Sequence, residues 1–326
     1  MSQKYTQFIL TRTKAGRRLG ISAAVEENNT YAPFTRFWWY IHESPEGSKW
    51  YSYDYDVCVQ GITISQTDFM PERRYVMISA EGDVIYTLPQ DIIERIPETG
   101  IHAPDSKYFG RMQDIQEIGD SLFACGDGLQ FYRRNRYGDG TWHCLAPDLR
   151  QRPGTPASAY CIMPRINGPH ERAVYAVGQH GSIYFWNGET VRKLDCPVRS
   201  TLIDIHVESD DAIWICGGDG TLLKGNHRTG FRLCPGTGLG TTLFQRMTMY
   251  DGTLYLAASG GDPFGLFTYR DGRIAPVRTG LQPEIADPHF VDSAHGVLWA
   301  MSIKDIVRFD GHAWERIDFP GHPPIR

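Results

Sequence analysis

Along the chain, short apolar runs alternate with polar positions at a period of two and are punctuated by Gly, Asn and Asp. This is the pattern of half-buried β-strands joined by turns. Five segments share one grammar, an apolar residue and an aromatic followed by small or apolar residues and then a polar turn: LFACGDG (122–128), VYAVGQHG (174–181), IWICGGDG (213–220), LYLAASGG (254–261) and VLWAMSIKD (297–305). YVMISAEGD (75–83) is a weaker sixth copy. Alignment equates Met77, Phe123, Tyr175, Trp214, Tyr255 and Trp299, which recur near the ~40–45-residue period of a four-stranded propeller blade.

Each copy continues into a second β-rich run, such as SIYFW (182–186), TLLKG (221–225), GLFTYR (265–270) or DIVRF (305–309), and then a tight turn. Asn187-Gly188, Asp271-Gly272 and Asp310-Gly311 read as two-residue hairpins, because these residue types tolerate positive φ. A further strand follows each turn. Upstream runs supply the first strand of each unit: RMQDIQEI (111–118), AYCIMPRI (159–166), LIDIHVE (202–208), FQRMTMY (244–250) and HFVDSAH (289–295). DIIERI (91–96) is the one tempting helix, yet it falls where an outer strand belongs. Four antiparallel strands, A to D from the inside outward, make a blade.

One period further towards the N-terminus, YTQFILT, LGISAAVEE, TRFWWYIH and KWYSYDYDV give a divergent additional blade. The expected fold is all-β, a single β-propeller over residues 1–326 with blades near 5–58, 59–103, 104–150, 155–197, 198–236, 240–280 and 285–320. Six blades with an N-terminal appendage is the alternative. The chain would start on strand A of the first blade and end on strand D of the last. Side-chain packing must then hold those two blades together, since no strand is exchanged.

Composition narrows the function classes. Hydrophobic residues make up 41% and charged residues 22% of the 326, as in a folded soluble protein. Lys and Arg number 33 against 38 Asp and Glu, a net charge of -5, and basic residues gather only in small groups such as Arg133, Arg134 and Arg136. Nucleic-acid binding is therefore disfavoured. No stretch reaches the roughly 20 apolar residues of a membrane span and no apolar segment opens the chain, so a cytoplasmic address is expected. The seven cysteines include no C-x-x-C, which argues against a disulfide framework or a structural zinc site.

The run G-x-x-G-x-[IL]-[YF]-x-[WY]-[DN]-G-x-x-[VW], read at Gly178 to Val191, resembles bacterial WD-repeat-like and Asp-box-like β-propellers. No copy carries both the Gly-His and the Trp-Asp of a WD repeat. Asp139-Gly140-Thr141-Trp142 and the run from Asp310 to Trp314 miss the Asp-box spacing. The resemblance implies a fold and leaves function open, because such propellers serve as enzymes, lectins, scaffolds and inhibitors. A small propeller standing alone is also similar to immunity proteins encoded beside bacterial toxins.

Local motifs offer little chemistry. Cys125 and Cys216 occupy equivalent strand positions and read as small buried hydrophobes. The histidines lack metal-ligand spacing, although Asp114, Asp204, His206, His289 and Asp292 all fall on or beside predicted A strands that could line a central channel. Turns such as GGDG (217–220) lack the helix and Lys-Ser/Thr pair of a phosphate loop. No catalytic residue, metal or cofactor is expected.

The connections from strand D to the next strand A, and the B–C turns that open at the same end of the blades, combine prolines with aromatics and arginines, the residue types that anchor protein interfaces. Tyr108, Phe109, Arg111, Arg150, Arg152, Tyr160, Phe244, Arg246 and His289 are the candidate anchors, with Asp127, Asp219 and Asp262 on the turns. The expected function is a non-catalytic cytoplasmic protein-binding propeller, monomeric on its own, of the immunity or inhibitor type. It would block a basic toxin or enzyme and bind neither nucleic acid nor membrane. The alternative is a carbohydrate-active or small-ligand propeller, sialidase-, glycosidase- or lectin-like, in which Arg111 and Arg246 converge on the channel mouth.

Overall fold

The computed structural model describes residues 34–45, 47–65, 70, 74–87, 90–138, 140–237 and 239–320, together with the backbone of strands Thr6–Leu10 and Arg18–Val25. Asp139 lies outside the described residues. The fold is all-β, with seven four-stranded antiparallel sheets, each built from four consecutive strands in the order A-B-C-D: a seven-bladed propeller. Blade 1 takes Thr6–Leu10, Arg18–Val25, Thr35–Ile41 and Trp50–Tyr55, and blade 7 takes Phe290–Ala294, Val297–Met301, Ile306–Phe309 and Trp314–Arg316. Ile92–Arg95 is strand D of blade 2, as its place in the repeat requires.

Backbone contacts divide the chain into two units, one of residues 1–58, 216–222 and 234–326, the other of residues 59–215 and 223–233. The second unit holds blades 2 to 4 and most of blade 5. Its blades bury both faces, which is why their B strands read as continuous apolar runs. In blade 3, Leu122 and Ala124 pack with Val76 and Ile78 of blade 2, while Phe123 and Cys125 pack with Val174 and Ala176 of blade 4.

That packing corrects one alignment. Ile78 pairs with Gly61 as Cys125 pairs with Asp114, so Val76 and not Met77 is the counterpart of Phe123. A one-residue slip reverses the face, and Met77 looks the other way.

The pairing of strands A and B carries a recurrent bulge. In Val59-Gln60-Gly61, Met112-Gln113-Asp114 and Phe244-Gln245-Arg246 the strand register skips the Gln between a buried first residue and the third. Blade 4 has Met163-Pro164-Arg165 in the same place. Proline has no N–H to donate, and strand A of that blade begins at Arg165, later than the run AYCIMPRI suggests. The same register shows that Arg246 corresponds to Asp114 and Arg165, not to Arg111. Arg111 and Arg246 are therefore not a repeated pair.

Turn chemistry also differs from the simple dipeptide reading. Asp271-Gly272 has both residues at positive φ and is a two-residue hairpin. At Asn187 and Asp310 only the following Gly is left-handed, and a longer loop is closed by the side chain itself. Asn187 Oδ1 accepts from the N–H of Glu189 (2.9 Å) and Thr190 (2.8 Å), and Asp310 Oδ1 from His312 (2.9 Å) and Ala313 (3.0 Å). Asn226 Oδ1 repeats the device, accepting from the N–H of Arg228 and Thr229, with the left-handed glycine, Gly230, at the end of the loop.

In the first unit, blade 7 meets blade 1 with no exchanged strand among the described residues. Aromatic packing makes the junction. Phe319 lies edge-on to Trp38 (5.2 Å) and Trp50 (5.1 Å), Tyr40 edge-on to Trp299 (6.0 Å), and the Trp50 indole N–H donates to Asp318 O at 2.9 Å.

Candidate functional site

Because strand directions alternate, the B–C turn and the D–A connection emerge at the same end of every blade. In the unit of blades 2 to 5, hydrogen bonds weld these segments together. Asp127 N donates to Arg111 O (2.8 Å), Gly128 N to Cys161 O (2.9 Å) and Gln151 N to Gly128 O (2.8 Å). The connection from blade 2 to blade 3 wraps around the Glu81 carboxylate, which accepts from the N–H groups of Ile101 (2.8 Å), His102 (2.7 Å) and Ala103 (3.1 Å).

Against this frame the predicted anchors sort into two kinds. Tyr108 is 63% exposed and sits at φ 59, a left-handed backbone unusual for a residue with a side chain; Arg152 is also exposed. Both can reach a partner. Arg150, in contrast, pairs with Glu98 (3.0 Å) and covers the Phe109 ring at 4.2 Å, and the Tyr160 hydroxyl donates to Phe109 O at 2.7 Å. These three residues stiffen the connections. Arg111 is half-buried, and its N–H and the Gln113 side chain (2.8 Å) both donate to the buried Asp127 carboxylate. Burial pushes the Asp127 carboxyl up from its ordinary value, against the pull of those donors.

In the other unit, Asp219 and Asp262 are exposed on B–C turns, and Arg246 and His289 are half-buried. Phe244 is 0% exposed, which corrects its assignment as an anchor. It is the buried first residue of the bulge, and its carbonyl accepts from Cys216 Sγ at 3.6 Å. A side chain with no accessible surface belongs to the core.

Sequence reasoning passed over Leu149, Phe264 and Ile303, each a lone apolar residue in a polar turn or connection. With Tyr108 they are exposed large hydrophobics on D–A connections and B–C turns. The remaining exposed large hydrophobics among the described residues, Tyr51, Tyr53, Ile93 and Leu233, lie on outer strands. The described A–B and C–D turns carry none.

The chemistry at the strand A edges is structural. Arg165 pairs with Asp114 (2.8 Å) and Asp204 (3.2 Å), and Ile166 N donates to Asp114 at 3.1 Å, so strands A of blades 3, 4 and 5 share one buried charge chain. Desolvation drives the Cys125 thiol well above its ordinary value and its Sγ donates to Met163 O (3.2 Å), which leaves it protonated and unsuited to nucleophilic attack. Among the described residues, no three His, Cys, Asp or Glu side chains gather as a metal site.

No family model matches the chain. A curated relative, the immune protein Tsi7 of Pseudomonas aeruginosa, is 28% identical over 248 residues, covering 76% of this chain and 77% of the relative. Among solved structures, YCF48 bound to D1 peptide superposes with a TM-score of 0.56 at 10% identity, over 79% of this chain and 82% of its own. The WD40 propeller domain of Doa1 gives 0.54 at 10% identity, over 81% and 83%. The likeness to these two is one of fold alone. The chain is thus a β-propeller similar over three quarters of its length to a bacterial immune protein.

Proposed function

We propose that the chain is an immunity protein that binds a toxin protein and neutralises it by covering a functional surface, with no chemistry of its own. The observation that carries this reading is the similarity to an immune protein across most of both chains. The molecule's build supports it. Tyr108 and Leu149 are exposed on connections stiffened by Glu81, Arg150 and Tyr160, and anchors on preorganised loops lose little entropy on binding. None of the seven cysteines forms a disulfide, which suits action in the reducing cytoplasm. A net charge of -5 favours encounter with a basic partner.

The test is to recover the protein bound to the tagged chain in its native cells, then express that protein in a sensitive host. Growth arrest by the recovered protein, relieved when the chain is co-expressed, is the expected result. A recovered protein that is harmless, or arrest that the chain does not relieve, would overturn the reading.

A further inference from the structure

In the first unit, the connection between blades 6 and 7 and the B–C turn of blade 7 line an open cavity of about 370 Å³. Pro283, Ala286 and Ile303 are its apolar walls, with Glu284, Asp287 and Lys304 as polar neighbours. That volume falls in the roughly 300–1,000 Å³ range of binding pockets and admits a large aliphatic or aromatic side chain.

The walls are held in place by the chain itself. Arg316 grips Asp305 through Nε (2.8 Å) and Nη2 (2.9 Å) and also donates to the carbonyls of Gln282 (3.3 Å) and Pro283 (2.7 Å), so one guanidinium ties the turn to the connection. The Glu284 carboxylate accepts from Thr279 N at 3.0 Å. Asp287 Oδ1 accepts from Gly260 N at 3.1 Å and joins the B–C turn of blade 6 to the same assembly. That turn presents Phe264, 55% exposed, and the blade 7 turn presents Ile303, 43% exposed. A preformed pocket flanked by exposed apolar side chains is the arrangement that seats an interface anchor.

We propose that this cavity is the anchor pocket of the partner-binding surface and takes an apolar side chain from a protein partner that carries a basic residue beside it. The sign of the neighbour follows from local charge. Arg316 neutralises Asp305, leaving the carboxylates of Glu284, Asp287 and the exposed Asp262 against the ammonium of Lys304. The proposal rests on the toxin-binding reading and locates where that binding is anchored.

The test uses the full chain and the protein recovered with it from native cells, purified and titrated against wild type, Ala286→Trp, Ile303→Asp and Lys304→Glu. Ala286 and Ile303 are exposed, so neither change disturbs the core, and circular dichroism checks the fold. Ala286→Trp fills the pocket and Ile303→Asp removes its wall; each is expected to raise Kd about tenfold or more. Lys304→Glu is expected to lower Kd about two- to fivefold at low salt, with the gain shrinking as salt rises. Asp271→Lys, on a C–D turn, should leave Kd unchanged. Ala286→Trp and Ile303→Asp both binding within twofold of wild type would overturn the pocket while leaving the toxin-binding reading intact. Weaker binding by Lys304→Glu would overturn the basic neighbour, and recovery of no protein by the wild-type chain would overturn both pocket and reading.

Discussion

At the residue scale, position in the bulge decides what a side chain does. Arg165 and Asp114 occupy the same register point on adjacent blades, and their 2.8 Å contact is buried. Replacing Arg165 by Met strands two carboxylates and should cost about 3–5 kcal/mol in urea unfolding, with part recovered when Asp114 and Asp204 also become Asn. Trp299 has no exposed surface and fills the junction with blade 1, so Trp299→Ala should cost about 3–5 kcal/mol.

Asp127 gives a signed pH effect. Its folded-state pKa is raised above the ordinary 3.8 by burial, so the folded state holds the proton more tightly than the unfolded chain, and stability falls as pH rises through the folded value. Asp127→Asn removes that loss. Denaturant melts should show the variant gaining on wild type from pH 3.5 to pH 7; a constant difference would mean that the carboxyl does not titrate in this way.

The recurrent aromatics were legible because the B strands of blades 3 to 7 each carry one at the same place in the repeat. The displacement of Met77 was not, because a short run with apolar residues at consecutive positions fits either face and only the bulge fixes the register. Phe244 illustrates the same limit at the site, since an aromatic at the end of a connection reads alike whether it faces solvent or core.

At the element scale, the side-chain-closed C–D loops are repeated parts with different burdens. Asn226 is buried and makes three hydrogen bonds, adding one to Asp211 O at 3.0 Å, whereas Asn187 is exposed and makes two. Asn226→Ala should cost about 2 kcal/mol and Asn187→Ala about 1 kcal/mol or less, read as shifts in the denaturation midpoint at constant slope.

A second repeated device sets a strand C cation over the strand B aromatic. Arg133 lies 5.6 Å from the Phe123 ring, Lys224 4.3 Å from Trp214 and Arg308 5.9 Å from Trp299. Four-strand grammar and turn positions were readable from period-two patterning. The bulges were not, because a Gln between apolar neighbours also fits a regular strand and blade 4 has Pro164 in that place.

At the scale of the whole molecule, the junction of blades 7 and 1 rests mainly on aromatic packing, with the Trp50 hydrogen bond to Asp318 O beside it. Phe319 touches both Trp38 and Trp50, so Phe319→Ala should lower stability by about 3 kcal/mol and raise hydrogen exchange in blade 1 strands before those of blades 3 and 4. The propeller was readable from its period. The recognition surface was readable only as a class of loops, since the strength of an anchor depends on exposure and bracing that residue type does not reveal.

On the proposed reading, the D–A connections and B–C turns of the blades are the segments that meet the protein partner. Hydrogen–deuterium exchange of the chain, alone and with its recovered partner, tests this most directly. Slowed exchange is predicted within segments 97–111, 145–163, 259–264, 278–289 or 302–305, with no change at the C–D turns 187–190, 271–272 and 310–313. Protection confined to those C–D turns, or to the outer strands around Tyr51, Ile93 and Leu233, would contradict it.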